Sequence, residues 1–342
     1  MEKSSINRKM SKSGLIFGSM VLAAMVLLPL AVKNAYVMHL FIMAYIGILL
    51  GMTFSMLFSA GLITLGAGAF YAIGAYGSTL LSTRLGLSFW AALPMSTLIT
   101  GIVALAIGSI IVRHPGMAFT IITLLFAHVV IQATGQMEFF GGWGGIIGVE
   151  TPDPLGPIQF ATKTSFYYLI LFLLLLTALV FHALYTSRIG RVWRSIKLSP
   201  PLAESLGINL YRYRLMAFVV ASSAAGMVGS FYAHYFQMVT PEAFGGWLSI
   251  YIQLYAVLGG LEFYILGPAI GAVIMTFVPE YLRIAKEVEP IITGVFLLLI
   301  ILFFSGGILG TLRRFWRAKR PVVFRVKSRH KLIAGPNVLR DE

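Results

Sequence analysis

"FYYLILFLLLLTALVFHALY", residues 166–185, runs for 20 positions without a charged side chain. As an α-helix rising 1.5 Å per residue it reaches about 30 Å, the thickness of a bilayer's hydrocarbon core. Its apolar residues do not alternate with a period of two, so it is not a barrel strand. In hydrocarbon only a helix or a closed barrel satisfies its own backbone polar groups. The stretch therefore predicts a transmembrane helix, and "GLIFGSMVLAAMVLLPLAV" (14–32) repeats the pattern.

Composition agrees. Of 342 residues 58% are hydrophobic and 11% charged, where a water-soluble domain carries about a quarter charged. In all, spans are expected near 14–32, 36–58, 62–82, 89–112, 117–135, 165–186, 213–236, 246–260, 264–281 and 289–309. The fold class is all-α, a polytopic helical membrane protein of about ten spans, in a range of about eight to ten. The segment after the basic N-terminus outruns the apolar core of a signal peptide, so 14–32 is read as a retained first helix.

The net charge of +14 sits beside the membrane, which argues against nucleic acid as its partner. Lys3, Arg8, Lys9 and Lys12 precede the first span. Arg188, Arg191, Arg194, Lys197, Arg212 and Arg214 crowd the central loop, and Arg313, Arg314, Arg317 and Lys319 open a basic tail. Cytoplasmic loops carry such an excess. The division expected is a basic cytoplasmic N-terminus (1–13), a transmembrane domain (14–312) with a central loop at 187–212, and a cytoplasmic tail (313–342). The loop at 136–164, with Glu138, Glu150 and Asp153, belongs outside. Returning the tail to the cytoplasm requires 246–281 to pass twice, broken at "GGLEF" (259–263). A single pass there, giving about nine spans, is the alternative. The short 246–260 then suggests a broken or re-entrant Gly-rich element.

The 35 glycines cluster. Those of "GILLG" (47–51) and "GPAIG" (267–271) read as helix packing, where small residues let backbones approach. For 61–70, with Thr64, Gly66, Gly68 and Phe70, packing and the lining of a solute path stay equally open, because irregular backbone at membrane depth needs a protein interior or a cavity.

Catalytic chemistry finds no support. There is no cysteine, no HExxH and no GxxxxGK[ST]. The carboxylates map to span ends or loops, leaving no intramembrane acid for a proton relay. Histidines such as His128 and His234 read as structural. Metal and catalytic residues are therefore not expected, nor any cofactor of the chain itself; if ATP drives transport, another chain hydrolyses it.

"SPPLAESLG" (199–207) is the polar exception. Ser199 suits an N-cap, Pro200 and Pro201 the first turn, and Gly207 a left-handed stop. The helix between them is about 10 Å long. Leu202 and Leu206 share a ridge, while Glu204 projects elsewhere. A helix so short needs support, either lipid headgroups or a docking protein.

Together with its flanks, "GRVWRSIKLSPPLAESLGINLYRYRLMAFVVASSAAGMVGSFYA" (190–233) resembles the central region of branched-chain amino acid ABC importer permeases of the LivM type. "LITLGAGAFYAIGAY" (62–76), "FFGGWGGIIGV" (139–149), "VTPEAFGGWLSI" (239–250), "VLGGLEFYILGPAIGA" (257–272) and "ILFFSGGILG" (301–310) follow in family order. The resemblance implies a permease in the bacterial cytoplasmic (inner) membrane with both termini cytoplasmic. It implies a second homologous permease, two cytoplasmic ATPases and a periplasmic or extracellular solute-binding protein as partners, besides membrane lipid. Pro200, Pro201, Leu202, Ala203, Glu204, Leu206 and Gly207 would form the ATPase coupling segment. Thr64, Gly66, Gly68, Phe70, Gly141, Gly142, Trp143, Gly259 and Gly260 would line the path. Ala67 stands where the family often has histidine, and Trp143 where a polar residue is usual. Branched-chain amino acids are then the default cargo, and the bulk of Phe139, Phe140 and Trp143 favours an apolar or aromatic one. A self-contained transporter or channel for a small solute is the alternative.

Overall fold

The computed structural model describes residues 12–32, 34–154, 160, 162–282, 294, 295, 298 and 306–318. The basic residues 1–11 and the tail from 319 lie outside the described residues, as does most of the span expected at 289–309.

Long apolar runs become long helices: α1 (Lys12–Ala31), α2 (Ala35–Ser59), α3 (Ala67–Leu85), α4 (Phe89–Ile111), α5 (Met117–Gln136), α6 (Lys163–Thr186) and α9 (Leu210–Phe236). Between the last two lie the short α7 (Arg188–Leu198) and α8 (Pro200–Ser205). The region expected to pass twice is split, into α10 (Gly246–Gly259) and α11 (Leu266–Leu282), and α12 (Gly307–Ala318) follows. Among the described residues five helices, α2, α4, α5, α6 and α9, are each long and apolar enough to cross a membrane unaided. The chain is a multi-pass helical membrane protein.

α2 is the centre of the bundle, buried from Ile42 to Leu57 apart from one half-buried position. Around it, small residues set how closely backbones approach. A Cβ on Gly74 would stand 2.0 Å from the Gly226 carbonyl oxygen, and one on Gly229 2.0 Å from that of Tyr71, so α3 and α9 touch backbone to backbone. On the other flank a Cβ on Gly271 would stand 1.9 Å from Tyr255 O, and one on Gly51 2.9 Å from Pro268 Cβ. Such seams give dispersion contact in a solvent that offers no hydrophobic drive between helices.

Three local departures from the sequence reading have clear causes. The span expected from 62 begins as a helix only at Ala67, because Gly61 turns left-handed (φ 76°) and the Thr64 hydroxyl accepts from Gly66 N–H at 3.0 Å. α9 starts at Leu210 rather than 213, since Asn209 Oδ1 caps it by accepting from Arg212 N–H at 3.1 Å. The central loop, expected to hold one short helix, holds two. α7 starts where Ser187 Oγ accepts from Ile189 N–H, and it buries Trp193 and Ile196.

At the end of the bundle opposite α7 and α8, the loop after α5 is tied to the end of α9 by a two-residue ladder. Ile146 pairs with Val239 and Ile147 with Met238, antiparallel.

Candidate functional site: a short exposed helix and an unwound segment

α8 is a six-residue helix with Pro200 at its first position. Ser199 occupies the N-cap, but its side chain makes no capping bond. The far end stops as expected: Gly207 has φ 80°, its N–H donates to Glu204 O at 2.9 Å, and Ile208 N–H donates to Ala203 O at 3.2 Å. One face is anchored by Ala203, 1% exposed, so within the expected coupling set Ala203 holds the helix in place and offers nothing to a partner. Leu202 and Leu206, at its C-cap, are 62% and 72% exposed, as is Leu198 at the end of α7.

This platform is fastened from beneath. Trp193 Nε1 donates to Tyr213 O at 2.8 Å, joining α7 to α9. Lys197 Nζ lies 3.8 Å from the centre of the Phe58 ring, at the last turn of α2. Burial there lowers the Lys197 ammonium below its ordinary pKa, with the Glu262 carboxylate pulling the other way. The Lys197 backbone also passes the left-handed Gly61 closely, since a Cβ on that glycine would stand 3.7 Å from Lys197 Cα. The last turn of α7, just before the cap of α8, thus lies against the turn that starts the unwound segment.

That segment, 60–66, carries backbone groups that no helix satisfies. Side chains from two helices take them up. Thr120 Oγ1 of α5 donates to Ile63 O at 2.7 Å, and Thr123 Oγ1 accepts from Leu65 N–H at 3.2 Å. From α10, Gln253 Nε2 donates to Thr64 O at 3.0 Å, and Ser249 Oγ accepts from the N–H of Gly68, in the first turn of α3, at 3.1 Å. This meets the rule that irregular backbone at membrane depth needs protein partners. The sequence reading missed Thr120, Thr123, Ser249 and Gln253; their one signal was polarity inside apolar helices.

The expected path residues fall into separate places. Thr64, Gly66, Gly68 and Phe70 gather at the unwound segment and are buried, Phe70 against Phe126 and Phe218. Trp143 covers Gly135 of α5. Gly135 lies twelve residues beyond Thr123, or about 18 Å along the helix. Gly141 and Gly142 are left-handed turn positions beside it (φ 82° and 60°). Gly259 and Gly260 form the α10–α11 turn, packed on Gly267 and Gly307. Among all of these, Trp143 alone shows a large exposed side chain.

A Ser–His arrangement lies deeper. His234 Nδ1 donates to Glu150 O at 2.7 Å, so its Nε2 accepts from Ser78 Oγ at 2.9 Å, and Ser230 Oγ donates to Ser78 Oγ at 2.7 Å. Ser78 and Ser230 are 0% exposed and His234 1%. With no room for a substrate this is a structural clamp. No group of His, Cys, Asp or Glu among the described residues could hold a metal ion.

Residues 36–305 match the family described as "Branched-chain amino acid transport system / permease component". The chain belongs to that family. Its members are transport permeases and not enzymes. The chain is 29% identical over 294 residues to the high-affinity branched-chain amino acid transport system permease protein LivM of Salmonella typhimurium, covering 78% of this chain and 68% of that one. It is 28% identical over 276 residues to the protein of the same name from Escherichia coli, covering 73% of this chain and 64% of that one. The chain thus spans about two thirds of the length of these relatives. No solved structure matches it.

Proposed function

We propose that the chain is the membrane-spanning subunit of an ABC importer that moves branched-chain or other hydrophobic amino acids inward, powered by two partner ATPases. The observation that carries this is the docking helix. Leu202 and Leu206 are exposed on a helix too short to stand alone, and the preceding α7 is braced on α2 and α9. Exposed leucines on a rigid mount suit insertion into a groove of another protein.

In this reading Pro200, Pro201, Leu202, Glu204, Leu206 and Gly207 couple the permease to the ATPases, and Ala203 seats the segment. The basic end is cytoplasmic, together with the N-terminus and the tail. The membrane is the bacterial inner membrane, the opposite end receives an extracytoplasmic solute-binding protein, and a second homologous permease completes the membrane part. ATP is hydrolysed on the partners, and this chain holds no cofactor. Thr64, Gly66, Gly68 and Phe70 form a movable backing to the path, with Gly141, Gly142 and Trp143 at its mouth. Gly259 and Gly260 are the turn on which α10 moves.

The test is a tagged pull-down from native membranes in mild detergent, with co-purifying chains identified by mass. Two ATPases and a second permease are the expected result. A chain that comes out alone and supports uptake in vesicles without ATP overturns the proposal.

A further inference from the structure

The outward faces of the spanning helices differ in kind. Every exposed residue of α4 is apolar, Met95, Leu98, Ile102 and Leu105 among them. The same is true of α6 from Phe172 to Val180. Such faces suit lipid. The exposed residues of α5 are Met117, Ala118 and Val129 and, in a stripe of five, Ile121, Leu125, His128, Gln132 and Gln136. The spacing of three or four residues keeps all five on one side of the helix. His128 lies eleven residues from Met117, about 16 Å along α5 and so near the middle of that helix.

Facing lipid, this stripe would be costly. An unpaired amide or imidazole in hydrocarbon costs several kcal/mol, and a histidine within a span faces a bundle interior or a water-filled cavity. Its own chain does little to relieve the cost. Gln136 Nε2 donates to Gln132 Oε1 at 3.3 Å, leaving the Gln132 amide N–H groups without a partner among the described residues, and His128 makes no hydrogen bond to a described residue. The reverse side of the same helix holds the unwound segment through Thr120 and Thr123. One side of α5 therefore touches the part of the fold with irregular backbone, and the other side displays unspent hydrogen-bonding groups.

We propose that the outward stripe of α5 is this chain's wall of the solute path, closed on its far side by the second permease. His128 and Gln132 meet the carboxylate and ammonium of an amino acid, and Leu125 and Ile121 meet its side chain. This rests on the importer reading and adds a cargo site to it, displaced from the buried glycines and onto a surface that a single chain leaves open. The chemistry fits an amphipathic solute: a polar half-stripe toward the end with Trp143, and an apolar half-stripe toward the docking helix.

The sequence contains no cysteine, so one substitution puts a single thiol on this chain. His128→Cys, Gln132→Cys, Leu98→Cys and Phe172→Cys are compared in the importer assembled in lipid vesicles, using a membrane-impermeant sulfonated maleimide read on the tagged chain. Reaction at 128 and 132, none at 98 and 172, and slower reaction at 128 and 132 with a branched-chain amino acid and its binding protein present are expected. Positions 128 and 132 as inert as 98 would mean a dry contact between permeases and would overturn the proposal, as would labelling that no amino acid slows. Co-purification and ATP-driven uptake are measured first on the cysteine-free chain, so failure of the importer reading is recorded separately. A chain that purifies alone yet shows solute-protected labelling at 128 would overturn both the importer reading and the closure of the path by a second permease.

Discussion

His234 Nδ1 lies 2.7 Å from the carbonyl oxygen of Glu150, which fastens the loop after α5 to the last turn of α9. The same ring accepts from Ser78 on α3, so one side chain joins two helices and a loop. With the ladder of Ile146 on Val239, it holds the end of the bundle opposite α8.

His234→Ala takes away the partner of the Glu150 carbonyl and of the buried Ser78 hydroxyl. An unsatisfied buried group costs about 1–3 kcal/mol. The expected outcome is a lower unfolding temperature in detergent and faster proteolysis within 137–154, with the chain still inserted. His234→Gln, which can donate to the carbonyl, should recover part of the loss. Unchanged proteolysis in both variants would remove the clamp.

Gly74→Val should be among the most damaging substitutions, because its Cβ would stand 2.0 Å from a backbone oxygen that no rotamer can move. Overpacking costs about 1–3 kcal/mol or more, and here α3 and α9 must separate. Gly144→Ala is the contrast, with nothing within 4 Å of the added methyl. Membrane-inserted protein on a blot should fall steeply for the first and hold for the second.

Gln253→Leu leaves the Thr64 carbonyl unbonded, and Thr123→Val does the same to the Leu65 N–H. Each costs about 1–3 kcal/mol, and the cost falls on the unwound segment alone. Normal amounts of inserted protein with reduced uptake are expected. Full uptake by both variants would show that the segment's bracing is unimportant to transport.

Gly207→Pro forces a position at φ 80° toward about −65° and should disrupt the stop of α8. Glu204→Arg reverses the charge on the docking helix. Both should leave the chain in the membrane while uptake falls relative to ATP hydrolysis in the assembled importer. Leu206→Glu, at a side chain 72% exposed, should weaken co-purification of the ATPases without lowering thermal stability. Equal recovery of ATPase with this variant would argue against the ridge as a docking surface.

The bundle could be read from the sequence because hydrocarbon leaves a chain few options: a long apolar run must be helical, whatever packs on it. The break at 260–265 was legible for the same reason, since parity and basic charge demanded it. The stop at Gly207 was legible from local backbone chemistry. What stayed hidden depends on partners distant in sequence. Nothing near Thr64 announces Gln253, and nothing near Gly66 announces Thr123. α7 was overlooked because its arginines dominate the composition, although Ser187, Trp193 and Ile196 mark a capped helix with one buried face. The polar stripe of α5 had a visible signal in His128, which burial alone could turn from structural to exposed.

The two kinds of junction in the bundle differ in what they permit. Where Gly74 meets Gly226 there are no side chains to rearrange, and the backbones fit in one way or not at all. Where Thr120, Thr123 and Gln253 meet the 63–66 segment, hydroxyls and an amide can exchange one acceptor for another at little cost. The molecule is therefore stiff along its glycines and compliant along its threonines, and the compliant line runs beside the Gly61 turn, against which the last turn of α7 lies.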